Sequence, residues 1–120
     1  MLYYSTNKKS PAADFREATI KGQAPDKGLY FPETLPVLPA DFIKNINQYS
    51  KEEIAFTAIH PFIGNTIPKE KLEKIVAETV NFNFPLVQVN DTISSLELYH
   101  GPTLAFKDVG ARFMSRCLGY

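Results

Sequence analysis

Lys107 is the residue of this chain whose surroundings most favour chemistry. It lies in a glycine-containing segment, residues 100–112, that follows an apolar strand and opens a predicted helix. Ligands of α/β folds bind at such strand ends. The positive end of the helix dipole disfavours an ammonium ion, and we expect partial burial beside Leu104 and Phe106 to favour the neutral amine further. A neutral lysine amine attacks carbonyl carbons, which is the requirement of Schiff-base chemistry.

A purely structural role is the alternative for each polar residue of this segment. A lysine in the first turn of a helix is most often a solvated charge. Asp108 would favour the charged amine, unless it pairs instead with Arg112, four residues further along the predicted helix. His100 is more often a hydrogen-bonded loop residue than an acid or base, and Thr103 could cap the helix instead of contacting a ligand. Residue types alone leave these alternatives open.

The overall composition restricts the class of protein. The 120 residues include 13 basic and 13 acidic side chains, so the formal net charge is zero, and 44% of the residues are hydrophobic. Balanced charge argues against nucleic acid or anionic lipid as the main partner. No apolar stretch of about 20 residues could span a membrane, and the first residues lack the apolar core of a secretory signal. A single cysteine, Cys117, excludes an internal disulfide and a multi-cysteine zinc site. We therefore expect a cytoplasmic globular protein.

Short capped elements must position Lys107. Asp14 and Glu17 have the spacing of a capping box, as do Ser50 and Glu53, and Gly22 is a predicted helix end. Further along the chain, the apolar period changes from that of helices to that of strands. The predicted strands cover residues 2–6, 29–31, 86–89 and 95–99, and the predicted helices cover residues 14–21, 41–48, 50–63, 68–80 and 107–118.

This order of elements predicts an α/β protein in two parts. Residues 1–82 would form a small, mostly helical α+β domain, and residues 83–120 would begin a second, α/β domain. A strand–loop–helix unit needs further parallel strands to cover its faces, so we expect the chain to be the front of a longer protein. The last helix would otherwise leave Phe113, Met114 and Leu118 uncovered.

The run from Tyr99 to Met114 resembles the signature of threonine synthase, a family of pyridoxal-phosphate enzymes. The run includes His100-Gly101-Pro102-Thr103 and Phe106-Lys107-Asp108, and it is far more specific than a lone lysine near a helix start. Residues 4–7, 15–22, 26–32 and 62–68 are similar to the amino-terminal part of the same family. The resemblance therefore spans the whole chain.

The resemblance implies a reaction, a cofactor and a fold. Family members convert O-phospho-L-homoserine and water into L-threonine and phosphate, the last step of threonine biosynthesis. They have the fold-type II architecture of tryptophan synthase β-chains and serine dehydratases. The lysine of the Phe-Lys-Asp step carries pyridoxal 5'-phosphate and serves as proton carrier, and here that residue is Lys107. Thr103 and His100 flank this lysine and could touch substrate or cofactor. Lys27, in an amino-terminal turn, could face the substrate phosphate, although a solvated turn lysine is the simpler interpretation.

The chain departs from the family in its length. Family enzymes run to several hundred residues, and neither the glycine-rich loop for the cofactor phosphate nor the group facing the pyridine nitrogen is among these 120 residues. We therefore expect the isolated chain to be inactive. Two alternatives remain: a related pyridoxal-phosphate lyase or dehydratase of the same fold, or a non-catalytic interaction module if the chain naturally ends at Tyr120. The sequence does not predict an oligomeric state.

Overall fold

The computed structural model describes residues 1–120 and has a mixed α+β architecture, as the sequence predicts for the amino-terminal part. A three-stranded sheet and a separate hairpin accompany five α-helices and two short 3-10 turns. The strands are β1 (Leu2–Ser5), β2 (Ala13–Asp14), β3 (Tyr30–Pro32), β4 (Leu86–Gln88) and β5 (Ser94–Leu96). The helices are α1 (Phe15–Lys21), α2 (Ala40–Lys44), α3 (Lys51–Ile63), α4 (Lys69–Thr79) and α5 (Asp108–Leu118), and the 3-10 turns are Ile46–Gln48 and Gly64–Thr66.

The amino-terminal sheet has the strand order β2-β1-β3 and is antiparallel throughout. Tyr3 pairs with Ala13 on one side and with Pro32 on the other. The hydroxyl of Tyr3 donates to the carbonyl of Phe62 at 2.8 Å, which ties the sheet to the end of α3. Strand β2 has only two residues, too few to show an alternating pattern, and the sequence did not predict it.

The helix ends lie where the capping residues indicate. The Asp14 carboxylate accepts a hydrogen bond from the Glu17 backbone N–H at 2.8 Å, and α1 ends at Gly22, whose φ of 67° suits glycine. Ser50 and Glu53 form a complete capping box, each side chain accepting from the other residue's N–H at 3.2 and 2.8 Å. Both predicted helix starts are confirmed.

The core lies mainly between α3, the following 3-10 turn and α4. Leu72 on α4 is fully buried. Its cluster consists of Ile63, Ile67, Leu72, Ile75, Val76 and Val80. Phe113 from α5 packs against this cluster, so the expectation that Phe113 would be uncovered is wrong. Met114 and Leu118 are about half exposed, as predicted.

Helix α5 is attached to the end of α4 by two arginines. The guanidinium of Arg112 donates to the side-chain oxygen of Asn81 at 2.9 Å and to the backbone carbonyl of Glu78 at 2.6 Å. Arg116 donates to the Glu78 carboxylate at 2.5 Å. Cationic groups are favoured at the carbonyl end of a helix, where the dipole is negative. These contacts cross the predicted domain boundary near residue 82, and the division into residues 1–82 and 83–120 stays a prediction.

Strands β4 and β5 form an antiparallel hairpin in which Val87 faces Ser95. The hairpin confirms the two predicted strands, although β5 begins at Ser94 and ends at Leu96 instead of running to Tyr99. Every residue of both strands is exposed. None of the helices in this structure has the length and apolar character needed to cross a membrane.

Candidate active site

The loop between the hairpin and α5, residues 97–107, presents Lys107 at the start of that helix. Lys107 is the last residue before α5, with φ of −70° and ψ of −9°, and its carbonyl accepts from the Ala111 N–H at 2.8 Å. Its side chain is exposed and takes part in none of the chain's ion pairs. The predicted position at a helix amino terminus is therefore confirmed.

The apolar neighbours of Lys107 do not bury it. Leu104 is 77% exposed and Phe106 is 74% exposed, so the partial burial expected from the sequence is absent from this structure. The reason is local. The loop turns at Leu104, whose φ is 56°, and the side chains of Leu104 and Phe106 stay exposed.

Asp108 is the buried charged residue of this site, with only 2% of its surface exposed. Its carboxylate accepts from the Thr103 backbone N–H at 2.9 Å and from the Thr103 hydroxyl at 2.5 Å. The hydroxyl bond is the main cause that lowers the pKa of Asp108. Two predictions are corrected: Asp108 does not pair with Arg112, which binds the end of α4, and Thr103 does not cap α5, which begins five residues later.

Position 101 has room only for glycine, because Asp108 lies directly against it. A Cβ atom on Gly101 would come within 2.5 Å of one carboxylate oxygen of Asp108 and within 2.9 Å of its Cβ. The sequence suggested a simple turn at Gly101-Pro102, and the structure adds this close contact.

His100 is held by Glu97, an acidic residue to which the sequence assigns no role. Its Nε2 lies 2.6 Å from the carboxylate of Glu97, and its ring stacks on Tyr99 with centroids 4.7 Å apart. Hydrogen bonding to His100 is the main cause that lowers the pKa of Glu97. The interpretation of His100 as a hydrogen-bonded loop residue fits this geometry, and its second ring nitrogen has no protein partner.

Lys27 lies in a separate part of the molecule, in the turn before β3. The turn is built around Asp26, whose carboxylate accepts from the Ser5 hydroxyl at 2.6 Å and from the Gly28 N–H at 3.0 Å. These bonds, that of Ser5 above all, lower the pKa of Asp26 to about 2. Lys27 itself is exposed with φ of 67°, and no hydrogen bond or ion pair joins it to the loop of residues 97–107. The structure therefore brings Thr103, Asp108 and Lys107 together, but not Lys27.

An apolar cavity lies between the amino-terminal sheet, α1 and α5, next to Cys117. It has a volume of about 400 Å³ and is lined by residues of β1, α1, β3 and α5, among them Tyr3, Phe15, Tyr30 and Phe113. Burial raises the pKa of the Cys117 thiol to about 11. Lys107, His100 and Thr103 do not line this cavity, so the polar loop and the apolar cavity are separate features.

Known proteins resemble this chain over its full length. A family model described as "Threonine synthase N terminus" matches residues 2–80. The threonine synthase of Pseudomonas aeruginosa is 37% identical, covering all of this chain and 27% of its own length, and that of Escherichia coli is 35% identical, covering 98% and 28%. This chain thus spans little more than a quarter of the curated relatives it matches.

Solved structures agree with these matches. The pyridoxal-phosphate-bound threonine synthase of Brucella melitensis superposes with a TM-score of 0.94 at 38% identity, over all of this chain and 27% of that one. The yeast threonine synthase superposes with a TM-score of 0.87 at 34% identity, over 99% and 26%. The match to the family model covers well over half of the chain, and the chain therefore belongs to the threonine synthase amino-terminal family.

Proposed function

We propose that this chain is the amino-terminal part of a threonine synthase that converts O-phospho-L-homoserine and water into L-threonine and phosphate. The observation that carries the proposal is the run of residues 99–114, which places an exposed, unpaired lysine at the start of α5 in a chain of this family. A cytoplasmic location, with a small-molecule substrate in place of a nucleic acid or membrane partner, is part of the same proposal.

Pyridoxal 5'-phosphate is the cofactor we propose, and Lys107 is the residue of this chain that suits it. A primary amine condenses with an aldehyde in its neutral form. Lys107 is an exposed amine that no carboxylate binds, and it is the lysine of the Phe106-Lys107-Asp108 step. The six glycines stand singly, so no glycine-rich cradle for a phosphate exists within these residues. When bound, the cofactor supplies an electron sink for carbanion chemistry.

The residues of the 97–107 loop then have distinct proposed roles. Lys107 holds the cofactor and afterwards moves a proton at the substrate Cα through its Nζ atom. His100 is bound by Glu97 through one ring nitrogen, which leaves the other nitrogen available to bind substrate or cofactor. The proton of the Thr103 hydroxyl is committed to Asp108, so Thr103 can meet a ligand only as a hydrogen-bond acceptor. Lys27 remains the weakest substrate-binding proposal, because nothing in the structure connects it to the loop.

The isolated chain should not turn over. It offers a covalent attachment point but no phosphate cradle and no group for the pyridine nitrogen, and most of the affinity for such a cofactor comes from those contacts. We therefore assign the activity to the longer protein of which these residues are a part.

The test is phosphate release by the full-length protein supplied with pyridoxal phosphate and O-phospho-L-homoserine, with threonine identified as product. Lys107→Ala should abolish release, whereas Lys71→Ala, which removes an exposed lysine of α4, should leave it unchanged. Phosphate without threonine would identify a related elimination enzyme. A folded, cofactor-loaded protein that releases no phosphate would contradict the proposed substrate.

A further inference from the structure

Asp108 is a buried carboxylate for which the proposed reaction gives no role. A buried ionised group is costly unless its oxygens accept hydrogen bonds. Thr103 supplies one donor to each carboxylate oxygen, its backbone N–H at 2.9 Å and its hydroxyl at 2.5 Å. The carboxylate therefore joins the first residue of α5 to a residue five positions earlier, on the far side of Lys107.

Three further contacts close the same loop. Gly101 packs directly against Asp108, with no room for a Cβ atom. Leu104 donates from its N–H to the Gly101 carbonyl at 3.1 Å, and Asp108 donates from its own N–H to the Ala105 carbonyl at 3.0 Å. Leu104 has a φ of 56°, which a leucine adopts only where the surrounding contacts impose it.

We infer that Asp108 is a positioning residue for Lys107: its carboxylate, bound by Thr103 and packed on Gly101, holds residues 101–107 in one shape and so fixes the backbone position from which the Lys107 amine reaches its reaction partner. This inference rests on the proposed role of Lys107. Asp108 touches neither substrate nor cofactor in this scheme, and it acts only through the loop.

The size of the effect follows from the geometry of reaction. A displacement of a reacting group by about 1 Å can lower a rate by about 100-fold. Asp108→Asn keeps one carbonyl acceptor, for the Thr103 backbone N–H, but replaces the charged oxygen by an amide that the Thr103 hydroxyl can meet only as an acceptor. Thr103→Val removes only the hydroxyl donor, whereas Thr103→Ser retains it.

The experiment uses the full-length protein and two measurements. One is kcat and KM for phosphate release. The other is the rate at which borohydride traps pyridoxal phosphate on Lys107, identified by peptide mass, which reports on the amine without needing turnover. The control is Asp91→Asn, which changes an exposed aspartate in the hairpin turn.

We expect Asp108→Asn and Thr103→Val each to lower kcat and the trapping rate by about 10- to 100-fold while KM changes by less than about threefold. Thr103→Ser should restore the trapping rate, and Asp91→Asn should leave both measurements unchanged. Should Asp108→Asn fail to fold, Gly101→Ala, whose Cβ atom would displace the Asp108 carboxylate while leaving Thr103 intact, should lower the trapping rate in the same way.

A folded Asp108→Asn protein that traps and turns over like the original would overturn the inference, as would equal losses in Thr103→Ser and Thr103→Val. Failure of the proposed function looks different. In that case the original protein releases no phosphate from O-phospho-L-homoserine, and the trapping rates of the variants still decide the role of Asp108.

Discussion

Alanine substitution should lower the free energy of unfolding at Gly101 and raise it at Gly110, nine residues further along the chain. Gly101 has no room for a side chain, because its Cβ atom would lie 2.5 Å from an oxygen of Asp108. Gly110 lies on the exposed side of α5, and its Cβ atom would meet nothing within 4 Å. Neither residue has a positive φ, so the backbone conformation admits alanine at both positions and only the available space differs.

The expected magnitudes follow from these distances. At Gly101 the carboxylate of Asp108 must retreat by about 1 Å to reach ordinary contact, and overpacking of this kind costs about 1–3 kcal/mol. At Gly110 alanine removes the conformational entropy that glycine loses in a helix, which should stabilise the fold by about 0.5–1 kcal/mol. With a urea m-value of about 2 kcal/mol/M, the midpoint should fall by roughly 1 M for Gly101→Ala and rise by a few tenths for Gly110→Ala.

Urea unfolding of the 120-residue chain, followed by circular dichroism and by tyrosine fluorescence, measures both changes. Coincident transitions by the two probes establish that the free energies are comparable. The reasoning would be refuted if Gly101→Ala altered stability by less than about 0.5 kcal/mol, the range typical of unconstrained surface positions. A loss of stability in Gly110→Ala equal to that in Gly101→Ala would refute it as well.

Three other perturbations test the core, the amino-terminal turn and the cavity wall. Leu72→Ala, at a fully buried position, should lower the free energy of unfolding by about 3–5 kcal/mol, whereas Leu35→Ala, at an exposed position, should lower it by less than about 0.5 kcal/mol. Asp26 has a pKa of about 2 in the folded chain, below its unfolded value, so its contribution to stability is present above about pH 4 and is lost as the pH falls towards 2. Asp26→Asn should remove that part of the acid dependence, measured by thermal unfolding at a series of pH values. Cys117, whose pKa is raised to about 11, should react with iodoacetamide at neutral pH at least about 10-fold more slowly than in the unfolded chain, as followed by mass spectrometry.

Each of these has a contrary outcome. Equal losses in the two leucine variants would place Leu72 outside the core. An unchanged acid dependence in Asp26→Asn would mean that the bonds from Ser5 and Gly28 do not stabilise the carboxylate. Rapid alkylation of Cys117 in the folded chain would show that the thiol is open to solvent.

Local signals in the sequence determined the capped helices α1 and α3, the buried face of α4 and the position of Lys107, whereas the predicted helix 41–48 ends at Lys44 and continues as a 3-10 turn. The capping residues Asp14 and Ser50 bind backbone groups three residues away, and the apolar period of α4 needs only its own residues to identify its buried face. Such interactions are complete within one or two helical turns. For the same reason the placement of Lys107 directly before α5 could be predicted without the rest of the molecule.

The partners of the charged side chains were decided by the tertiary structure. Sequence spacing suggested that Asp108 pairs with Arg112, but Arg112 binds Glu78 and Asn81, more than thirty residues away, and Asp108 turns back to Thr103. Helical spacing shows which side chains of one helix can contact each other. It does not show whether a residue from another element binds one of them instead. Only the packing of α5 on α4 draws Arg112 away, because the carbonyl end of α4 then lies within its reach. Because Arg112 is engaged by α4, the Asp108 carboxylate binds Thr103 instead, and this contact shapes the loop that carries Lys107.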